Sequence, residues 1–556
     1  MPAIRRFSAL LLIAAACAEP PAPAPPPVAE GFEPRPTRGY ILISLDTLRA
    51  DHLSAYGYER PTSPFLERLA EGSVLFERVA VQYPATLIAH MSMFTGYYPQ
   101  QHGVFPPAAV LAESIETLPE RFRAAGFRTA GHTEGGFVGG AYGFARGFEE
   151  WSDTPYSDDT DIVRTFERGL DFIAGLEPDE RFFVFLHTYS IHDPYLPPSE
   201  FRHVFWEGEP PDTFEPDGPN LNAVNKGFLD IDAETARYFE ALYDGSILYV
   251  DGVLERFFAQ LEDLGVADDT TVVITSDHGE EFLDHGKMGH EQIYPEGILV
   301  PLVVRHPDLD RPIRIPALVE GIDLPATLLE LAGLESFADR PGLSLVPYFR
   351  DPGIELADEA YAEVVFPQTQ KSLLREQDGT VYQLVLSEQL PEPDGTWIPR
   401  RVEADIAAER LDLRLISFEK PRRLTVSIDG ETIEEVEIPN RWTPLVIDLP
   451  PGPEPGGAQR VTFATSDCES PERLEGSHDS RCLAIKVQGV GLRRHELFDL
   501  GADPGAEHDI YRQRERLRRT LHDRLRRYRW EPVAESSQRA LDNETRRTLE
   551  ALGYLQ

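Results

Sequence analysis

The apolar positions of this chain change period along its length, and each change marks a part. Residues 40–45 (Tyr-Ile-Leu-Ile-Ser-Leu) form a short run without alternation, the pattern of a strand buried on both faces. Residues 182–186 (Phe-Phe-Val-Phe-Leu), 270–275 (Thr-Thr-Val-Val-Ile-Thr) and 300–304 (Val-Pro-Leu-Val-Val) repeat it. Between them the period becomes helical. Residues 63–72 open on Ser63-Pro64, a helix start, and residues 233–265 carry Ile247, Leu248, Val250, Leu254, Phe257, Phe258 and Leu261 at helical spacing. Strands alternating with helices predict an α/β domain, a large mostly parallel sheet with helices on both faces. In such a sheet the site lies beyond the carboxyl ends of the strands. Polar residues follow the apolar runs there: Asp46 after the first, His187 after the second, Asp277-His278 after the third.

Near residue 405 the period shortens to two. Residues 411–416, 424–430, 434–438, 445–449, 460–464 and 483–487 read as short alternating strands between Gly- and Pro-rich turns. This is an all-β signature, expected to fold as an inserted sandwich over 405–488. The flanking stretches 351–404 and 489–556 are expected to form a smaller C-terminal α+β part, ending in a basic helical segment over 512–529. The catalytic unit is expected over 38–350.

The first residues read as an address. Arg5 and Arg6 precede an apolar run over 7–16, a charged region and a core too short to span a bilayer. Small residues then lead into Cys17, the pattern of a bacterial lipobox, in which Cys17 carries the lipid and 1–18 is the leader. Ordinary cleavage after Ala18 is the alternative. Residues 19–37 are rich in Pro and Ala, an extended spacer suited to a tether. The expected location is the bacterial periplasm or cell envelope. Export also allows a disulfide between Cys468 and Cys482.

Charge narrows the partners. The 556 residues carry 53 Lys+Arg against 94 Asp+Glu, a net charge of −41. No nucleic-acid partner is expected, because phosphate backbones need a basic surface. An anionic small substrate stays open, since a buried metal reverses the local field.

Candidate chemistry gathers at the strand ends. Asp46 and Asp51 stand in Asp-Thr-Leu-Arg-Ala-Asp; Thr86 in Pro-Ala-Thr-Leu-Ile-Ala-His; Asp277 and His278 in Ser-Asp-His-Gly-Glu. Carboxylates with an imidazole suit a divalent cation, with a hydroxyl completing the shell. Singly, each has a plainer reading as a helix cap or a packed histidine.

Together they resemble a family. Residues 43–58 (Ile-Ser-Leu-Asp46-Thr-Leu-Arg-Ala-Asp51-His-Leu-Ser-Ala-Tyr-Gly-Tyr) look like the opening of the sulfatase family, within the alkaline phosphatase superfamily. The likeness continues in 92–104 with Thr95-Gly96 and His102, in 187–195 with His192-Asp-Pro, in 243–251, and in Ser276-Asp277-His278-Gly279-Glu280 followed by Gly289-His290. It ends in Glu496-Leu-Phe-Asp-Leu-Gly-Ala-Asp503-Pro. The resemblance implies an alkaline phosphatase/sulfatase-like fold and a metal-dependent ester hydrolase.

The departures reshape the expected chemistry. The family pattern Cys-x-Pro-x-Arg, whose Cys or Ser is oxidised to formylglycine, becomes Thr86-Leu-Ile88-Ala-His90. The Thr β-carbon carries a methyl group and cannot yield the aldehyde, so no formylglycine is expected. Thr47 replaces the second acid of the usual pair. A Thr nucleophile with one upstream acid and a later Asp-His resembles the phosphorus-handling branches of the superfamily. By resemblance, Asp46, Thr86, Asp277 and His278 hold one divalent ion (Ca, Mn, Mg or Zn), and Thr86 is the nucleophile. His192 and His290 contact the non-bridging oxygens or protonate the leaving group. His102 orders the Thr86 segment, and His90 takes the place of the family Arg. Asp51 is read as a cap or supporting residue, His187 as structural, and His285 as a further possible ligand. The expected substrate is a phosphate or sulfate ester on a glycan or lipid head group. A phosphoryl transferase and a catalytically silent binding protein of the same fold are the alternatives.

Overall fold

The computed structural model describes residues 31–538, apart from short stretches of which 154–161, 390–395, 450–458 and 469–483 are the longest. The leader, Cys17, most of the 19–37 spacer and Cys482 lie outside the described residues. Cys468 is disulfide-bonded.

Eight strands make the central sheet, in the order Ile313–Glu320, Ser73–Ala80, Leu299–Arg305, Thr270–Thr275, Gly39–Leu45, Phe182–Thr188, Arg128–Thr133, Glu150–Asp153. All run parallel except Leu299–Arg305, which is antiparallel to both neighbours. The unbroken apolar runs are the central strands, as burial on both faces requires. In Gly39–Leu45, Tyr40 and Leu42 enter one core, whereas Ile41, Ile43 and Leu45 enter the core on the opposite face.

Helices fill both cores. Thr86–Thr95 contributes Leu87, Ile88, Met91 and Phe94 to the first. The 31-residue helix Ala233–Asp263 contributes Phe239, Ile247, Leu254 and Phe257 to the second. Its start is capped by Asp232, whose carboxylate accepts from the Thr235 N–H at 2.8 Å. The segment read as a helix over 63–72 forms Pro64–Ala70. Asp251 holds that helix by accepting from the backbone of Phe65 and Leu66 at 2.7 and 2.9 Å.

A second, antiparallel sheet follows: Glu359–Val364, Thr369–Gln377, Thr380–Gln389 and Leu492–Asp499. Helix Glu515–Leu525, within the basic tail, packs Leu521 and Leu525 against it. Between its third and fourth strands the chain forms two four-stranded antiparallel sheets. They share a core of their own, built on Leu413, Leu415, Leu424, Val426, Val461 and Phe463. Among the described residues, no helix is long and apolar enough to cross a membrane.

Candidate metal centre at the strand ends

Parallel register brings the site together. Gly39–Leu45 lies between Phe182–Thr188 and Thr270–Thr275, so the residues ending each strand become neighbours. Asp46, His187, Asp277 and His278 are fully buried there. The turn after Leu45 is strained. Thr47 adopts φ 58°, a left-handed conformation costly for a β-branched residue. It is held from several sides: the Tyr243 hydroxyl donates to the Thr47 carbonyl (2.7 Å) and accepts from the Arg49 N–H (2.9 Å), while Leu48 N–H donates to Ser276 Oγ (2.9 Å). Gly279 follows His278 because a Cβ there would run into the Glu296 carbonyl.

Thr86 arrives from the other direction, as the first residue of Thr86–Thr95, with its hydroxyl 3.3 Å from His278 Nε2. His278 Nδ1 donates to the Gly279 carbonyl at 3.0 Å, so Nε2 presents a lone pair. That Nε2 lies 3.4 Å from Asp277 Oδ2 and 3.8 Å from Asp46 Oδ1. These two carboxylate oxygens are buried and accept no hydrogen bond. Ligand atoms of Asp46, Asp277 and His278 lie within 4.8 Å of one another.

The electrostatics follow from burial. Desolvation, with Asp277 and Glu280 nearby, pushes the Asp46 carboxyl well above its ordinary value. Desolvation holds the His278 imidazole down at about 3. Two carboxylates and a neutral imidazole, turned toward one point without donors, form a set that a divalent cation satisfies. The residues present therefore fit the expected ion: Asp46, Asp277 and His278 would hold it, with the Thr86 hydroxyl beside them.

The surrounding residues sort by which atom they offer. His187 Nε2 donates to Asp46 Oδ2 at 3.0 Å. Its role is thus more than the structural one expected from sequence: it orients a carboxylate of the centre, as supporting residues of metal sites do. His90 stands one turn after Thr86: its Nδ1 donates to the Thr86 carbonyl (2.8 Å) and its Nε2 accepts from Ser44 Oγ (2.9 Å). His90, His187 and Asp277 are close enough to hold an ion. However, both His90 nitrogens are already engaged, Nδ1 by the Thr86 carbonyl and Nε2 by Ser44 Oγ, so the triplet braces the centre. His102 bonds Ser92 Oγ at 3.2 Å and accepts from the Val104 N–H at 3.1 Å. It braces the Thr86 helix and does not touch the reacting atoms.

His192 and His290 do face the centre. Their Nε2 atoms are 3.3 Å apart, and the His278 and His290 rings are 4.3 Å apart. His290 is partly exposed and marks the open side. Two sequence candidates lie elsewhere. Asp51 pairs with buried Arg49 (2.7 Å), which holds its carboxyl below the ordinary range against burial. His285 is not a ligand: it bonds Glu296 Oε1 (2.5 Å) and the Ala506 carbonyl (3.0 Å) and stacks on Tyr294. Tyr294 in turn donates to Glu496 at 2.7 Å. The C-terminal signature thus steadies the loop carrying His290.

The family model described as Sulfatase matches residues 38–334. The chain belongs to the sulfatase family. Among relatives, PehA of Trinickia caryophylli, a multifunctional alkaline phosphatase superfamily protein, is 28% identical over 252 residues, covering 40% of this chain and 48% of PehA. Human iduronate 2-sulfatase is 24% identical over 330 residues, covering 47% of this chain and 58% of that enzyme. The match thus spans about half the length of these relatives. A solved structure holding its substrate D-glucosamine-2-N,6-O-disulfate shares the fold, with TM-score 0.58, 14% identity, and coverage of 89% of this chain and 97% of the other. The phosphonate monoester hydrolase of Agrobacterium radiobacter does so too, with TM-score 0.57, 15% identity, and coverage of 89% and 95%. The chain thus has the sulfatase-like fold, a large mixed sheet, with further β-sheets in its C-terminal region.

Proposed function

We propose that this sulfatase-family chain is a metal-dependent ester hydrolase with Thr86 as nucleophile, acting outside the cytoplasm on phosphate mono- or diesters in preference to sulfate esters. The observation that carries the reading is the Thr86 hydroxyl, at the start of a helix and beside two buried carboxylate oxygens that accept no hydrogen bond. A divalent cation bound by Asp46, Asp277 and His278 would lower the hydroxyl pKa and offset the charge that develops on the substrate. The first turn of Thr86–Thr95 directs its backbone N–H groups toward an incoming anion.

Chemistry favours phosphorus. The Thr86 oxygen forms a bond to phosphorus as the bond to the leaving oxygen breaks. Water then attacks the Thr86 phosphoester, releasing phosphate from a monoester substrate or a phosphate monoester from a diester, and restoring the hydroxyl. Protons shed by Thr86 and taken up by the leaving oxygen exchange with solvent on the His290 side. A formylglycine hydrate can instead expel sulfate by collapsing to its aldehyde, an exit that Thr86 lacks. Neighbours of both kinds, the disulfated glucosamine complex and the phosphonate monoester hydrolase, keep either ester within reach of the fold. The leader pattern supports export and an anchor at Cys17.

The test is turnover of an aryl phosphodiester, an aryl phosphate and an aryl sulfate, with Mn²⁺, Zn²⁺ or Ca²⁺, by the wild type and Thr86→Ala. We expect phosphate-ester turnover that is lost in the variant, and acid-quenched phosphothreonine at position 86 by mass spectrometry. Turnover of the sulfate alone would refute the preference for phosphorus. Undiminished turnover by Thr86→Ala would refute the nucleophile.

A further inference from the structure

The second sheet meets the catalytic core through one face, and that face is not uniformly apolar. Along Thr380–Gln389 alternate residues share it, and their cross-strand partners join them: Gln383 stands opposite Leu374 and Phe498, and Val385 opposite Ser372 and Glu496. Leu374, Val385 and Phe498 enter the core shared with the central sheet, whereas Leu384 and Leu497, on the other face, pack with helix Glu515–Leu525. Ser372, Gln383 and Glu496 are therefore polar residues set in an apolar face, and all three are buried.

Two of them reach the segment that follows His290. The Gln383 amide nitrogen donates to the Ile293 carbonyl at 2.7 Å and to Ser372 Oγ at 3.0 Å, and Glu496 accepts from the Tyr294 hydroxyl at 2.7 Å. A carbonyl only accepts, so the Gln383 amide must turn its NH2 toward Ile293. That orientation leaves Gln383 Oε1 buried with no hydrogen bond. A buried carbonyl without a donor is destabilising, and an aliphatic side chain of similar volume would avoid the penalty. Packing alone therefore does not call for an amide at 383, whereas the bond to Ile293 does. Gln292, the preceding residue, is held separately, its side-chain amide donating to Glu281 Oε1 at 2.7 Å. Upstream, His290 Nδ1 lies 3.2 Å from the carbonyl of Pro84, just before the helix that begins at Thr86.

We propose that Gln383 is a positioning residue of the active site: its amide fixes Ile293 and, through that short segment, sets the His290 imidazole beside the start of the Thr86 helix. The second sheet thus contributes to catalysis without touching substrate, and it does so at the expense of an unmet carbonyl in its own core. The inference rests on the reading of Thr86 and His290 as parts of the reacting centre.

The experiment joins calorimetry, kinetics and histidine NMR on the full chain carrying Gln383→Met or Gln383→Leu, which keep the volume and remove the donor. We expect melting temperatures equal to or above the wild type. On an aryl phosphodiester, kcat should fall by roughly tenfold or more with KM changed less than about twofold, since a reacting group misplaced by about 1 Å costs up to about a hundredfold. In a His290→Ala background the same substitutions should lower kcat little further, because the effect runs through His290. Position is also read without turnover: in protein labelled with carbon-13 histidine, the His290 ring signal, assigned by its loss in His290→Ala, should shift or broaden in both Gln383 variants. An unmoved His290 signal overturns the proposal. So does an unchanged kcat, a full further loss on top of His290→Ala, or failure of both variants to fold, which would make the amide purely structural. If the wild type turns over no ester, the catalytic reading fails on its own, and the His290 signal decides whether Gln383 positions that ring.

Discussion

Asp46→Asn offers a signed test of the metal centre that does not depend on finding a substrate. Ligand oxygens of Asp46 and Asp277 lie within 4.8 Å of one another in a fully buried site. At an effective dielectric of ~20, two unit charges at that distance repel by about 3 kcal/mol. The Asp46 carboxyl is raised well above 3.8, chiefly by burial and then by Asp277. Folding without metal therefore favours a proton on Asp46. Stability from this group is full below the unfolded value of 3.8. It declines as pH rises above that value, until the folded pKa is passed. Asn carries no charge, so the variant escapes the decline. His187 can accommodate the amide by moving its proton from Nε2 to Nδ1, which is buried without a partner.

The metal-free variant should thus match the wild type near pH 4 and exceed it increasingly toward pH 8. At roughly 2 °C per kcal/mol for a domain of this size, the ceiling is about 6 °C. Metal should reverse the order. An ion at 100 times its dissociation constant adds about 2.7 kcal/mol to the wild type, whereas the variant, lacking one ligand, should gain little. Calorimetry with EDTA or Mn²⁺ between pH 4 and 8 reads both effects. A metal-free variant less stable than the wild type at pH 8, or an undiminished Mn²⁺ shift in the variant, would show that these carboxylates are not a poised metal site.

Three further outcomes are expected. Tyr243→Phe removes the hydroxyl that holds both Thr47 O and Arg49 N, so it should cost about 1–3 kcal/mol in denaturant unfolding and weaken metal affinity by loosening the Asp46 turn. His90→Ala removes the brace between Ser44 and the Thr86 carbonyl; we expect kcat to fall at least tenfold with KM little changed, and equal loss in both would argue for a substrate-binding role. Cys17→Ser should shift the mature protein from the membrane to the soluble fraction of the envelope, and an unchanged membrane fraction would exclude the lipid anchor.

The sequence by itself determined the scaffold and the core of the site. Short apolar runs rich in β-branched and aromatic residues favour strands buried on both faces, so the three strands at residues 40–45, 182–186 and 270–275 were legible without coordinates. The residues that end them, with Thr86, carried the likeness to the sulfatase family. Strands such as Arg128–Thr133, which carries Arg, Gly and His, were not legible, because the neighbouring strand and Trp151 supply what its own residues lack.

Tertiary structure alone decided the roles. His187, His90, His102 and His285 look alike in sequence. Whether each orients a carboxylate, ties a strand to a helix, or anchors a distant tail depends on which nitrogen meets which oxygen. The same holds for the acids: Asp51 meets Arg49, Asp251 meets a helix start, and Asp46 Oδ1 and Asp277 Oδ2 stand beside His278 Nε2 with no hydrogen bond. Spacing along a chain fixes which residues can share a strand or a helix face. The tautomer of an imidazole and the desolvation of a carboxylate are set by atoms from segments hundreds of residues apart, and only the folded packing brings those atoms together.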